Sequence, residues 1–180
     1  MVDALDFTKK AVVLVVDDTP SNLTLIAGLL KDDYKVKVAS DGQKGLQLAR
    51  AENPPDLILL DVMMPEVSGY EVCTELKKDP ATRNVPIIFL TALAEAEDER
   101  KGFELGAADY ITKPVSPPIL LARIKTHLQI KAVTDFLRDR NQYLEQQLKR
   151  QDRSNPQVDE LLKLVEDLLA MKESLAPQDR

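Results

Sequence analysis

Four places in this 180-residue chain put an acid, hydroxyl or ammonium group at or just past the end of a short apolar run. Asp17 and Asp18 follow AVVLVV, Asp61 follows LILL, Thr91 follows PIIFL, and Lys113 stands just past YIT. Carboxylates crowded together repel, and they stay ionised at neutral pH only when a cation lies among them. An all-oxygen donor set without a histidine or further cysteine suits a hard ion, and Mg²⁺ retaining several waters is the expected one. Lys113 would add a point charge suited to phosphate, and the Thr91 hydroxyl could hydrogen-bond a phosphoryl oxygen. Ala92 leaves room for such a group to enter. Together these parts match phosphoryl transfer, where positioning and charge neutralisation do most of the catalysis. Each part also has a plainer use: Asp17, Asp18 and Asp61 as caps or loop acids, Thr91 as a turn residue, Lys113 as a solvated charge. Their joint placement at the ends of separate runs favours the chemical reading.

The runs themselves predict the scaffold. Residues 11–16 and 57–60 are continuous and apolar, the pattern of strands buried on both faces of a parallel sheet. Residues 34–39 (YKVKVA) alternate polar and apolar side chains, as a strand near a sheet edge does. Residues 86–90 and 107–111 supply two more strands. Between them lie helical stretches: one begins at Thr19-Pro20 with Leu23, Ile26, Leu29 and Leu30 inward, and another spans 43–51, stopped by Asn53-Pro54-Pro55. Two more cover 70–78 and about 95–105, the last with Gly106 as a C-cap. Strands alternating with helices define an α/β domain with a doubly wound parallel sheet, whose strand ends gather along one edge.

Composition narrows the function classes. Hydrophobic residues make up 44% of the chain, ample for a core, and the formal net charge is −6. Neither residues 1–130 nor the remainder is basic, so no nucleic-acid partner is expected. No apolar run approaches the ~18 residues of a membrane span and MVDALDFTKK lacks a signal-peptide core, so no membrane association and a cytoplasmic location are expected. Cys73 is the only cysteine and reads as a helix core residue, while the lone His127 reads as a surface or packing residue.

In order and spacing, VLVVDD, LILLDVMMP, PIIFLTA and YITKP resemble the receiver (CheY-like) domain of two-component response regulators over about residues 11–130. The resemblance implies a flavodoxin-like five-stranded sheet of order 2-1-3-4-5 and a sensor histidine kinase as partner. It implies Asp61 as phosphoacceptor, and Asp18 and Asp61 as direct Mg²⁺ ligands with the Met63 backbone carbonyl, Asp17 acting mainly through water. It further implies Thr91 on the phosphoryl oxygen, Lys113 paired with the phosphate across a cis Lys113-Pro114 peptide, and Tyr110 as the switch aromatic that responds to Thr91. Only autocatalytic phosphotransfer and slow autodephosphorylation are expected, not enzymatic turnover. Met63 and Leu93 flank the expected phosphoryl position, and neither apolar side chain can orient an attacking water. A haloacid-dehalogenase-type phosphohydrolase is the competing enzyme class, but it carries a second Asp two residues after the nucleophile, where this chain has Met63.

Beyond the receiver, divided as residues 1–130, the chain reads as a projecting continuation of the last helix over 131–153 and an amphipathic helix over 154–180. Pro117 opens a helix that nothing breaks before Asn155-Pro156. Val133, Phe136, Leu137, Tyr143, Leu144 and Leu148 form a stripe with a coiled-coil signal interrupted by Arg140 and Gln147. Val158, Leu161, Leu162, Val165, Leu168 and Leu169 recur at helical spacing. Such stripes bury themselves against their own chain or against a second copy, and a homodimer through the C-terminal helices is the expectation. The tail resembles the linker that joins receivers to HD-GYP phosphodiesterases or diguanylate cyclases, yet no HD, GYP or GGEEF motif occurs here. A phosphorylation-independent helical adaptor is the alternative to a switch.

Overall fold

In a computed structural model, residues 10–92, 96–151 and 163 are described. The elements run β1 (Val12–Val16), α1 (Pro20–Leu30), β2 (Lys35–Ala39), α2 (Gly42–Ala49), β3 (Leu57–Asp61), α3 (Gly69–Lys78), β4 (Ile87–Thr91), α4 (Ala96–Glu104), β5 (Asp109–Thr112) and α5 (Pro117–Gln151). All strand pairs are parallel, in the order β2-β1-β3-β4-β5. This is the flavodoxin-like, doubly wound arrangement, and the alternating β2 sits at an edge as its pattern requires.

Side chains alternate along a strand, so each central strand feeds two cores. Leu14, Val16, Ile58, Leu60, Ile87, Phe89 and Tyr110 face one side and pack with Leu46 of α2 and Val72, Cys73 and Leu76 of α3. Val13, Val15, Leu57, Leu59, Ile88, Leu90 and Ile111 face the other, against Ile26 and Leu30 of α1 and Leu120 and Ile124 of α5. Burial on both faces explains why β1, β3 and β4 show no alternation in sequence. Cys73 is fully buried, its Sγ 3.6 Å from the Leu105 carbonyl, and burial pushes its thiol up to about 11.

Local chemistry moves some boundaries. Asp41 caps α2, accepting from the Lys44 N–H at 2.7 Å, and Gly42 already belongs to this helix, one residue ahead of the expected start at 43. The fifth strand starts at Asp109, two residues later than its apolar pattern suggests. The Ala107 N–H is taken by the Gly102 carbonyl in the turn that closes α4, where Gly106 adopts φ +88°.

The chain divides into two units, Met1–Val133 and Thr134–Arg180. In the second, Phe136, Leu137, Tyr143, Leu144 and Leu148 are exposed on the helix, Arg138 pairs with Asp135 at 3.0 Å, and the Arg140 guanidinium lies 5.9 Å from the Tyr143 ring. The helix expected over 154–180 lies outside the described residues, apart from Lys163. No helix among the described residues is long and apolar enough to cross a membrane.

Candidate functional site

The C-terminal strand ends meet at one edge of the sheet, as doubly wound topology requires. Parallel register sets Val16 beside Leu60 and Asp61 beside Leu90, so the loops after β1, β3 and β4 open side by side. Asp17 is fully buried and Asp61 is 4% exposed. Carboxylate oxygens of Asp17, Asp18 and Asp61 lie within 4.8 Å of one another. The Lys113 ammonium, arriving from the far end of β5, donates to Asp17 Oδ2 at 2.7 Å and Asp61 Oδ2 at 2.8 Å. Its backbone N–H bonds the Thr91 carbonyl at 2.7 Å, and the Lys113-Pro114 peptide is cis.

Buried acids this close push against one another. Burial raises the Asp61 pKa above the usual carboxylate value and the neighbouring Asp17 charge adds to it, while Lys113 and the Met63 N–H oppose the rise. For Lys113, burial works downward, but its bonds to Asp17 and Asp61 outweigh that and leave its pKa above the ordinary value. A site of three carboxylates served by one ammonium retains excess negative charge. Together with the all-oxygen donor set and its spacing, this fits a hard divalent cation such as Mg²⁺.

The loop after β3 is built tightly against Asp61. The Met63 N–H donates to Asp61 Oδ1 at 3.2 Å, and the Met63 side chain is 61% exposed. The Val67 N–H reaches the Pro65 carbonyl at 2.7 Å across Glu66, which sits at φ +64°. Ser68 and Glu71 form a capping box that starts α3. Directly after it, a Cβ placed on Gly69 would lie 2.1 Å from the Asp61 carbonyl oxygen, so only glycine lets α3 approach the end of β3.

The structure therefore brings Asp17, Asp18, Asp61 and Lys113 into one cluster, with Thr91 fully buried at the same edge. Tyr110 is buried in the core with its ring 6.4 Å from Phe89, which in turn lies 5.3 Å from Tyr70. Leu93 lies outside the described residues. His127 is not a bystander: its Nε2 lies 2.9 Å from Asp109 Oδ2, and Arg123 pairs with the same carboxylate. Burial would raise the Asp109 pKa, but the bonds to Arg123 and His127 bring it below the usual value.

Sequence reasoning missed Asn22, whose Nδ2 is 3.1 Å from both oxygens of Asp17. Its place in the first turn of α1, one helical turn past Asp18, is the signal that could have found it.

Beside the sheet order, the acid cluster and the bridging lysine stands a family match: the chain belongs to the response regulator receiver domain family, matching it over residues 13–125. The chain is 44% identical over 147 residues to a Vibrio cholerae protein named "Probable cyclic di-GMP phosphodiesterase", covering 82% of this chain and 33% of that protein. It is 45% identical over 129 residues to the response regulator PleD of Caulobacter vibrioides, covering 71% of this chain and 28% of PleD. The chain thus spans about a third of the length of these curated relatives. Among solved structures, the Vibrio cholerae chemotaxis protein CheY4 superposes with a TM-score of 0.61 at 32% identity, over 65% of this chain and 98% of that one.

Proposed function

We propose that this chain accepts a phosphoryl group on Asp61 from a sensor histidine kinase and converts it into a change of oligomerisation or partner binding through its helical tail. The Lys113 ammonium bridging Asp17 Oδ2 and Asp61 Oδ2 at 2.7 and 2.8 Å carries this reading. It is a cation already held against the nucleophile, where transferred phosphate would arrive. An Asp61 carboxylate oxygen attacks phosphorus, a P–O bond forms, the P–N bond to the donor histidine breaks, and the imidazole leaves. Asp18, Asp61 and the Met63 carbonyl would hold Mg²⁺, with Asp17 meeting it through water. The ion supplies charge neutralisation for the phosphoryl oxygens. Thr91 would bond a phosphoryl oxygen, Lys113 would pair with another, and Tyr110 would respond to the movement of Thr91.

For the tail, the match to the Vibrio cholerae relative covers 147 of 180 residues, so it reaches well past the receiver. That supports reading 131–153 and 154–180 as a connecting and dimerising segment, as does the exposed apolar set Phe136, Leu137, Tyr143, Leu144 and Leu148. Incubation with acetyl phosphate and Mg²⁺ should add one phosphoryl group, seen as a mass increase, and Asp61→Asn should add none; unchanged labelling of Asp61→Asn refutes the assignment. Light scattering with and without beryllofluoride and Mg²⁺ tests the switch. A mass and shape indifferent to both, and to Asp61→Ala, would favour the phosphorylation-independent adaptor.

A further inference from the structure

The buried Asp17 carboxylate is held from three directions. Oδ1 accepts from the Thr19 N–H at 2.9 Å, and Oδ2 accepts from Lys113 at 2.7 Å. The third contact differs from both: the Asn22 amide nitrogen stands 3.1 Å from Oδ1 and 3.1 Å from Oδ2. A donor within reach of both oxygens holds the carboxylate as a whole, beside the Thr19 and Lys113 donors that each hold one oxygen. Asn22 is itself fixed, because its backbone N–H bonds the Thr19 carbonyl at 3.0 Å in the first turn of α1.

Three protein donors thus engage both oxygens of Asp17. Asp18 is only partly buried, and Asp61 accepts from Lys113 and the Met63 N–H on separate oxygens.

We propose that Asn22 is a positioning residue for the cation site. It holds the Asp17 carboxylate with Oδ2 toward Lys113, and so keeps Asp17 as an oriented acceptor for the water shell of the ion. This rests on the reading of Asp17, Asp18 and Asp61 as the site of a divalent cation. Hydrogen-bonding partners that orient the surroundings of a metal typically set its affinity by about 10- to 100-fold.

The test is Mg²⁺ titration of the full chain by calorimetry, for wild type, Asn22→Ala and Asn22→Leu, each also in an Asp17→Asn background. Ala and Leu both have higher helix propensity than Asn, so neither substitution at this partly buried position disfavours α1, and melting in EDTA checks that both variants fold. The expected result is a Kd for Mg²⁺ raised by about 10-fold or more in both variants. In the Asp17→Asn background the same substitutions should change Kd by less than about twofold, since the amide acts through Asp17. A Kd within about twofold of wild type in the Asp17 background, or equal losses in both backgrounds, overturns the proposal. Wild-type chain that binds no Mg²⁺ overturns instead the cation-site reading on which it rests.

Discussion

Gly69→Ala is the sharpest perturbation of the site that leaves its chemistry untouched. The added methyl would sit 2.1 Å from the Asp61 carbonyl oxygen and 2.9 Å from the Asp61 carbonyl carbon and Val62 Cα. Contacts under 3.0 Å are essentially never found for a real Cβ, so α3 and the end of β3 must part by about 0.9 Å. All three atoms are backbone, so no side-chain rotation can relieve the clash. Forcing a methyl into a packed interior costs about 1–3 kcal/mol, and with rigid backbone on both sides the upper end applies. For a chain of this length about 3 kcal/mol is a fall in Tm of about 6–12 °C. The displaced atoms belong to Asp61, the proposed phosphoacceptor, and misplacement by about 1 Å can lower a reaction rate about 10²-fold. Thermal unfolding gives the first quantity, and the rate of Asp61 phosphorylation by acetyl phosphate with Mg²⁺ gives the second. Gly28→Ala is the control: nothing lies within 4 Å of its Cβ, and on α1 the substitution should stabilise by about 0.5–1 kcal/mol. If Gly69→Ala melts with wild type and is phosphorylated at the wild-type rate, Gly69 does not set the position of Asp61.

Met63→Asn places an amide where the exposed methionine now flanks Asp61, and it should shorten the phospho-Asp61 lifetime by orienting water; an equal or longer lifetime in a phosphate-release assay contradicts this. Glu66 at φ +64° pays the left-handed cost, so Glu66→Gly should be neutral to stabilising, while Glu66→Val should lose about 1–2 kcal/mol in denaturant unfolding. Asp109 has a folded pKa below its unfolded value, so its contribution is full above the unfolded value of about 3.9 and is lost as pH falls through the folded one. The stability gap between wild type and Asp109→Asn should therefore close on acidification below about pH 3.9. A gap that persists undiminished to pH 2 removes the Arg123 and His127 pairing as its source.

The fold class, and the gathering of certain strand-end residues at one edge, were legible in the sequence. Short unbroken apolar runs bounded by turn residues suit strands buried on two faces, and parallel strands carry their trailing residues to one edge, so Asp17, Asp18, Asp61, Thr91 and Lys113 were legible as a group. The alternation in YKVKVA likewise placed β2 at an edge. Tertiary structure decided what depends on distance between separate elements. That Lys113 bridges two particular carboxylates, that Asn22 spans both oxygens of Asp17, and that Asp109 gathers Arg123 and His127 follow from how helices dock on the sheet, a relation periodicity does not encode. Gly69 shows the difference most plainly. In the sequence it is one more loop glycine before a helix, and only the 2.1 Å between its missing side chain and the Asp61 carbonyl reveals why no other residue fits there.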